Sequence, residues 1–302
     1  MTMLRYRLFA IDIDGTLVNS RDELTAATRQ ALVRAGQAGI RVVLATGRRY
    51  SRALPLVAPL GLDVPLITAT GALVKDPRTH RTLYRAQFEP GILRRVTQIV
   101  RECGFDPVLY GDTFCQGYDF YIAGWQVRTP ELAEYLADNA ASARVVSELF
   151  EHPPAEVFAG FAMGTHAQML ELERTLHCCL GHRISTHVLR SPKYAGFFCE
   201  LAPAGVNKWS AVCRLAENWS IPVEAICAVG DDINDIPMIR GAGLGIAMGN
   251  ALPEVKRAAD RVAPTHDEDG LVAVVSWLIG EGAEVSFPPP ADPETLPCED
   301  TR

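Results

Sequence analysis

The stretch LFAIDIDGTLV, Leu8–Val18, decides the fold. Its first residues are apolar enough for a strand buried on both faces, as in a parallel sheet. Yet Asp12 and Asp14 stand two residues apart near its end, and Gly15-Thr16 breaks the run. In open α/β sheets ligands bind beyond the carboxyl ends of the strands, so acids at such an end are well placed for chemistry. Taken alone, the same pattern also suits an ordinary strand-to-turn junction, where Asp and Gly serve the turn.

The residues that follow extend the reading. In residues 24–40, Leu24, Thr28, Ala31, Leu32 and Ala35 recur at helical spacing before Gly36 and Gly39. RVVLATG (residues 41–47) reads as a second strand, residues 49–60 as a helix, and PLITATGA (residues 65–72) as a third strand-like run. Strand, helix, strand, helix, strand predicts an α/β fold with a doubly wound, Rossmann-like parallel sheet.

The pattern then changes. Residues 84–190 mix aromatic and β-branched runs with helical ones such as GILRRVTQIVRECG, and read as an inserted α/β or α+β domain. The regular alternation returns with NKWSAVCRLAENWSI, AICAVGDD, INDIPMIRGAG, LGIAMG and LPEVKRAAD. The expected division is a core of residues 1–83 and 191–282, an insertion of 84–190, and a Pro- and acid-rich tail, 283–302, with the composition of a disordered segment.

Composition narrows the function. A net charge of −7 gives no nucleic-acid footprint. No apolar run is long enough for a membrane span, and the N-terminus lacks the pattern of a secretory signal. Eight scattered cysteines without a CxxC read as reduced, mostly buried thiols of a cytoplasmic protein.

Several polar breaks fall at strand ends: Asp12-Ile13-Asp14-Gly15-Thr16, Thr46-Gly47, and Gly230-Asp231-Asp232 with Asn234-Asp235. Lys208 opens the helix before the last of these strands. Four segments therefore converge on one rim. Asp12 and Asp14 beside Asp231 repel one another and are costly to desolvate. A divalent cation relieves this, and Mg²⁺ suits a site with few carboxylates, several waters and a substrate phosphate. Thr46, the Gly47 amide and Lys208 supply donors and positive charge for that phosphate.

DIDGT, ATGR, GVNK and GDDIND resemble the four motifs of the haloacid dehalogenase superfamily of phosphotransferases. GDDINDIPMI, GIAMGNA and HDEDGL, with a large insertion between the second and third motifs, resemble its Cof-like, sugar-phosphatase branch. Two positions depart from the family pattern: Thr70-Gly71 stands where Asn-Gly is frequent, and His266 where Asn is frequent. The resemblance implies that Asp12 is a nucleophile forming an aspartyl-phosphate. It implies that Asp14 protonates the leaving oxygen and later deprotonates water. It assigns Mg²⁺ to the Asp12 carboxylate, the Asp14 carbonyl and Asp231, with Asp235 in support. Phosphate would fall to Thr46, Gly47, Lys208 and Asn234, and Lys208 would also orient Asp12. The insertion would be a cap that closes over the site and selects the substrate.

Other patterns read as structure. HCCLGHRISTH gathers His177, Cys178, Cys179, His182 and His187, but adjacent cysteines lack zinc-site spacing. A helix ending at Gly181 with buried cysteines is the better reading. GAGLGIAMG reads as a loop and short strand, and Tyr118, Tyr121 and Trp125 as core of the insertion. The expected function is a Mg²⁺-dependent phosphatase of a small phosphorylated metabolite, with sugar phosphates among the candidates. The alternatives are a phosphosugar mutase and a non-catalytic sensor of phosphorylated ligands. Oligomeric state is not encoded in any readable feature.

Overall fold

The computed structural model describes residues 4–61, 64–191 and 193–280. The expected disordered tail, with Cys298, lies outside the described residues. Strands β1 (Leu8–Asp12), β2 (Arg41–Ala45), β3 (Leu66–Thr68), β4 (Leu73–Lys75) and β5 (Thr82–Arg85) come from the first segment. A second sheet takes β6 (Val108–Gly111), β7 (Phe120–Ile122), β8 (Ala143–Val145), β9 (Val157–Gly164), β10 (Ile184–Arg190) and β11 (Phe197–Pro203). The chain then returns to the first sheet with β12 (Ile226–Gly230), β13 (Leu244–Ala247) and β14 (Arg261–Val262). The helices are α1 (Ala26–Gln37), α2 (Tyr50–Val57), α3 (Ile92–Glu102), α4 (Pro130–Asn139), α5 (His166–Leu180), α6 (Lys208–Asn218), α7 (Ile236–Gly241), α8 (Pro253–Ala258) and α9 (Gly270–Ile279).

The first sheet runs β14-β13-β12-β1-β2-β3-β4-β5. Neighbours from β14 to β3 are parallel, and β4 and β5 add on antiparallel. Side-chain alternation on β1 explains its double winding. Phe9 and Ile11 pack on one face with Leu32 of α1 and Val274 of α9. Leu8 and Ala10 pack on the other with Val212 and Leu215 of α6 and Met238 of α7. Each large side chain fully buried this way contributes about 2 kcal/mol. The chain leaves β1 for β2 on one side and reaches β12 on the other. The crevice where strand order reverses therefore opens at the carboxyl ends of β1 and β12.

The second sheet, β10-β11-β9-β6-β7-β8, is antiparallel except for β7 with β8. Helices α3 and α5 cover one face, with Val96, Ile99, Leu172 and Leu176 packed on Ala162, Cys199 and Leu201. The other face carries Tyr110, Phe161 and Phe198 with Tyr135 of α4, and joins the hydrophobic cluster of the first sheet.

Several sequence expectations change. Thr82–Arg85 pairs with β4, so the first sheet runs on past residue 83. Phe197–Pro203 pairs with β9 and β10, so the return falls after Pro203 instead of at 191. Its alternation suits a sheet with two dissimilar faces: Cys199 and Leu201 meet the helices, while Phe198 and Ala202 join the aromatic side. The helix α5 does end at Gly181, but Cys178 and Cys179 are exposed, and only Cys199 and Cys227 are buried among the described cysteines. Of the three aromatics expected in the insertion core, Tyr121 is buried and Trp125 is exposed. No helix among the described residues is long and apolar enough to cross a membrane.

Candidate active site

Strand β1 stops at Asp12, and Ile13–Leu17 forms one wide turn, closed by Val18 N donating to Ile13 O at 3.1 Å, in which Asp14 (φ −77°, ψ 120°) and Gly15 (φ +72°) are non-helical. Asp14 is therefore delivered by the turn and not by strand alternation. A Cβ on Gly15 would lie 2.3 Å from Asp231 Oδ2, so both the dihedral and the space require glycine there. The register of Ile11 with Val229 brings the end of β1 beside the end of β12, which places Asp12 and Asp231 together.

Lys208 is the first residue of α6, fixed by Asn207 as N-cap. The Asn207 side chain accepts from Ser210 N at 2.9 Å, and Ser210 Oγ accepts from Asn207 N at 3.1 Å. Such a cap contributes about 1 kcal/mol and sets the aim of the lysine. Lys208 Nζ donates to Asp12 Oδ1 at 2.6 Å, Asp235 Oδ1 at 2.7 Å and Asn234 Oδ1 at 3.2 Å. Its three ammonium hydrogens are thereby all engaged.

Asp235 is saturated as well, because its Oδ2 accepts from the backbone of Asp231 and Asp232 at 3.0 and 3.1 Å. Asp231 Oδ1 accepts from Thr16 Oγ1 at 2.9 Å. The oxygens left without a hydrogen bond among the described residues are Asp12 Oδ2 and Asp231 Oδ2. Asp12, Asp231 and Asp235 each place an oxygen within 4.8 Å of the others. This donor set is hard oxygen only and fits a divalent cation such as Mg²⁺. The saturated Asp235 fits support of the other two.

Electrostatics agree. Burial, then Asp235, raises the Asp12 carboxyl well above its usual range despite Lys208. Burial, then Asp235, pushes Asp231 up to about 7. Burial lowers the Lys208 pKa, but Asp12 and Asp235 outweigh it and hold it above the usual lysine range. The acids outnumber the cations here, and a bound cation would offset the excess.

Asp14 is held from the other side. Thr46 Oγ1 donates to Asp14 Oδ2 at 3.0 Å, and Arg48 Nε donates to Asp14 Oδ1 at 2.7 Å, with Arg48 Nη2 on the same oxygen. Arg48 Nη2 also reaches Asp22 Oδ1 at 2.8 Å. In this state the Thr46 hydroxyl hydrogen serves Asp14. The Gly47 N–H and the Asn234 amide hydrogens make no hydrogen bond among the described residues, and Asn234 Nδ2 lies 3.8 Å from where a Gly47 Cβ would stand.

Three contributors were not among the sequence-derived site residues. Arg48 lies within the quoted ATGR and had the signal of its position. Glu200 arrives from β11 and accepts from Thr70 Oγ1 at 2.8 Å; burial pushes its carboxyl up to about 7. Asn250 donates to Gly15 O at 2.8 Å and accepts from His266 N at 3.0 Å, tying the loop at His266 to the turn at Gly15. His266 Nδ1 is buried without a hydrogen-bond partner among the described residues. Asp12, Asp14, Gly47, Lys208, Asp231 and Asn234 line one cleft of about 750 Å³, roofed by the second sheet. Thr46 and Asp235 stand behind this lining.

Residues 9–275, which span this whole constellation, match the family model of haloacid dehalogenase-like hydrolases. The chain belongs to that family. Within it, phosphatase YwpJ of Bacillus subtilis is 30% identical over 297 residues, covering 90% of this chain and 100% of the relative. Pyridoxal phosphate phosphatase YbhA of Escherichia coli is 27% identical over 280 residues, covering 89% and 97%. The crystal structure of a haloacid dehalogenase-like hydrolase from Bacteroides thetaiotaomicron aligns with a TM-score of 0.72 at 28% identity, covering 90% of this chain and 99% of that one. Haloacid dehalogenase-like hydrolases generally use a divalent metal, and the buried aspartate cluster is present here.

Proposed function

We propose that the chain is a Mg²⁺-dependent phosphatase that hydrolyses a small phosphorylated metabolite through an aspartyl-phosphate on Asp12. The observation that carries this reading is the pairing of two differently held acids. Asp12 has one oxygen on Lys208 and the other open to the cleft, while Asp14 is clamped by Thr46 and Arg48. A sensor of phosphorylated ligands needs neither arrangement. The names of the phosphatase relatives support the same class.

Asp14, once released from Arg48 and Thr46, takes up a proton from solvent; the open Asp12 oxygen then attacks phosphorus as the bond to the leaving oxygen breaks, and Asp14 passes that proton to the leaving oxygen. Water then attacks the acyl-phosphate, Asp14 takes a proton from it, and Asp12 is released with inorganic phosphate. Splitting one displacement into two lowers each barrier, and one side chain can act as acid and then base. The Asp12 and Asp231 carboxylates and the Asp14 carbonyl, with Asp235 in support, would hold Mg²⁺, which would supply charge neutralisation at the transferring group. The Gly47 amide and the Asn234 amide bind phosphate oxygens; Lys208 joins them by exchanging its contact to Asn234, and Thr46 by exchanging its contact to Asp14, while Lys208 keeps Asp12 aimed. Phosphoryl transfer asks mainly for this positioning and charge compensation. The second sheet with its helices acts as the cap.

Phosphate release from a panel of phosphoesters with Mg²⁺ tests the proposal. Turnover without a bisphosphate activator, lost in Asp12→Asn, supports it and excludes the mutase. Activity retained in Asp12→Asn contradicts it.

A further inference from the structure

The cap face over the cleft is chemically one-sided. Tyr110, Tyr135, Phe161, Tyr194 and Phe198 all line it. They form a continuous edge-to-face network: Tyr135 meets Phe161, Tyr194 and Phe198 at 5.0, 5.3 and 6.0 Å, and Phe161 meets Phe198 at 5.1 Å. Tyr194 and Phe198 are the partly exposed members.

The polar groups among these rings are already committed within the protein. Asn139 Nδ2 donates to Tyr135 O at 2.7 Å and to Tyr194 Oη at 2.8 Å, and its Oδ1 accepts from Arg49 Nη2. Arg49 Nη1 donates to Asp119 Oδ2 at 3.1 Å, and the guanidinium lies over the Phe120 ring at 4.8 Å. Ser191 Oγ accepts from Tyr194 N at 2.9 Å. What the wall offers a ligand is chiefly aromatic carbon. A polyhydroxylated leaving group held there would lose water without gaining equivalent hydrogen bonds. A flat ring would stack or meet the edges of Tyr194 and Phe198.

From this we infer that Tyr194 and Phe198, backed by the buried Phe161 and Tyr135, form a leaving-group subsite on the cap wall for a planar aromatic ring, and that the preferred substrates are phosphate esters of ring-bearing alcohols, not sugar phosphates. The inference rests on the phosphatase reading above. Arg52 and Arg190 at the mouth draw in the anionic ester, while Lys193 beside them is paired with Asp138 at 2.7 Å.

The test compares kcat/KM for benzyl phosphate and glucose 6-phosphate with Mg²⁺. Both are esters of primary alcohols, so the chemical step is matched and the leaving group differs. The wild type should favour benzyl phosphate by about two- to tenfold, the range that a stacking contact supplies. Phe198→Ala and Tyr194→Ala should each shrink that ratio severalfold. Because the readout is a ratio, partial misfolding, which lowers both rates together, does not imitate the effect. Turnover of glucose 6-phosphate at an equal or higher kcat/KM overturns the subsite and leaves the phosphatase reading standing. An unchanged ratio in both variants also overturns it. No turnover of either ester, nor of pyridoxal phosphate or acetyl phosphate, overturns the phosphatase reading and this inference with it.

Discussion

Lys208 Nζ and Asp12 Oδ1 lie 2.6 Å apart, both side chains almost wholly buried, although 196 residues separate them in the chain. The contact fastens the start of α6 to the end of β1 and leaves one Asp12 oxygen facing the cleft. Replacing Lys208 with Met keeps the aliphatic bulk and removes the charge from between Asp12 and Asp235. Breaking such a buried arrangement by removing one partner costs about 3–5 kcal/mol of stability. Steady-state kinetics should show kcat/KM reduced by about a hundredfold or more, from lost charge compensation and aim. Near-normal kcat/KM in Lys208→Met contradicts this role.

Thr70 sits at φ 53° and ψ 34°, left-handed geometry that a β-branched residue seldom adopts. Asn tolerates this conformation better, and it is the residue that resemblance led us to expect there. Thr70→Asn should therefore raise the unfolding free energy by about 1 kcal/mol, the usual cost of left-handed backbone for an ordinary side chain. Its amide can still donate to Glu200. Denaturant melts read the change directly, and an equal or lower midpoint argues against strain at Thr70.

Asp231 and Glu200 are each raised to about 7, chiefly by burial. An acid whose folded pKa exceeds its unfolded value binds more protons when folded across the interval between them. Its contribution is full below the unfolded pKa and is lost as pH rises through the folded one. The metal-free protein should thus melt at a lower temperature at about pH 7.5 than at about pH 5. Added Mg²⁺ should raise the melting temperature more at the higher pH, where Asp231 is ionised and free to bind it. Thermal melts across pH, with chelator and with Mg²⁺, test both directions. A metal-free melting temperature that climbs over this range goes against the electrostatics described.

What the sequence made legible was whatever ends a regular element. Asp12, Asp231 and Lys208 stand where apolar periodicity stops or a helix begins, so local pattern placed them at one rim. Arg48 had the signal of its place in ATGR, whereas Glu200 and Asn250 act through partners far away in the chain, and no local spacing marks them. Glu200 is one alternate position on a seven-residue strand whose membership in the second sheet appears only through pairing with β9 and β10. The double winding was readable from strand–helix alternation, whereas β4 is three residues long and its antiparallel direction is set by the turn at Ala69–Gly71. Exposure of Cys178 and Cys179 follows from which face α5 turns to its sheet, with Leu172 and Leu176 inward.

The central claim is that Asp12 carries the phosphoryl group during turnover. The direct measurement is rapid acid quenching of the enzyme while it hydrolyses a phosphoester with Mg²⁺, followed by mass mapping of its peptides. A phosphoryl group on the Asp12 carboxylate, labile to hydroxylamine and absent from Asp12→Asn, is the predicted result. Sustained phosphate release with no acyl-phosphate at Asp12, or with the label on another residue, would contradict it.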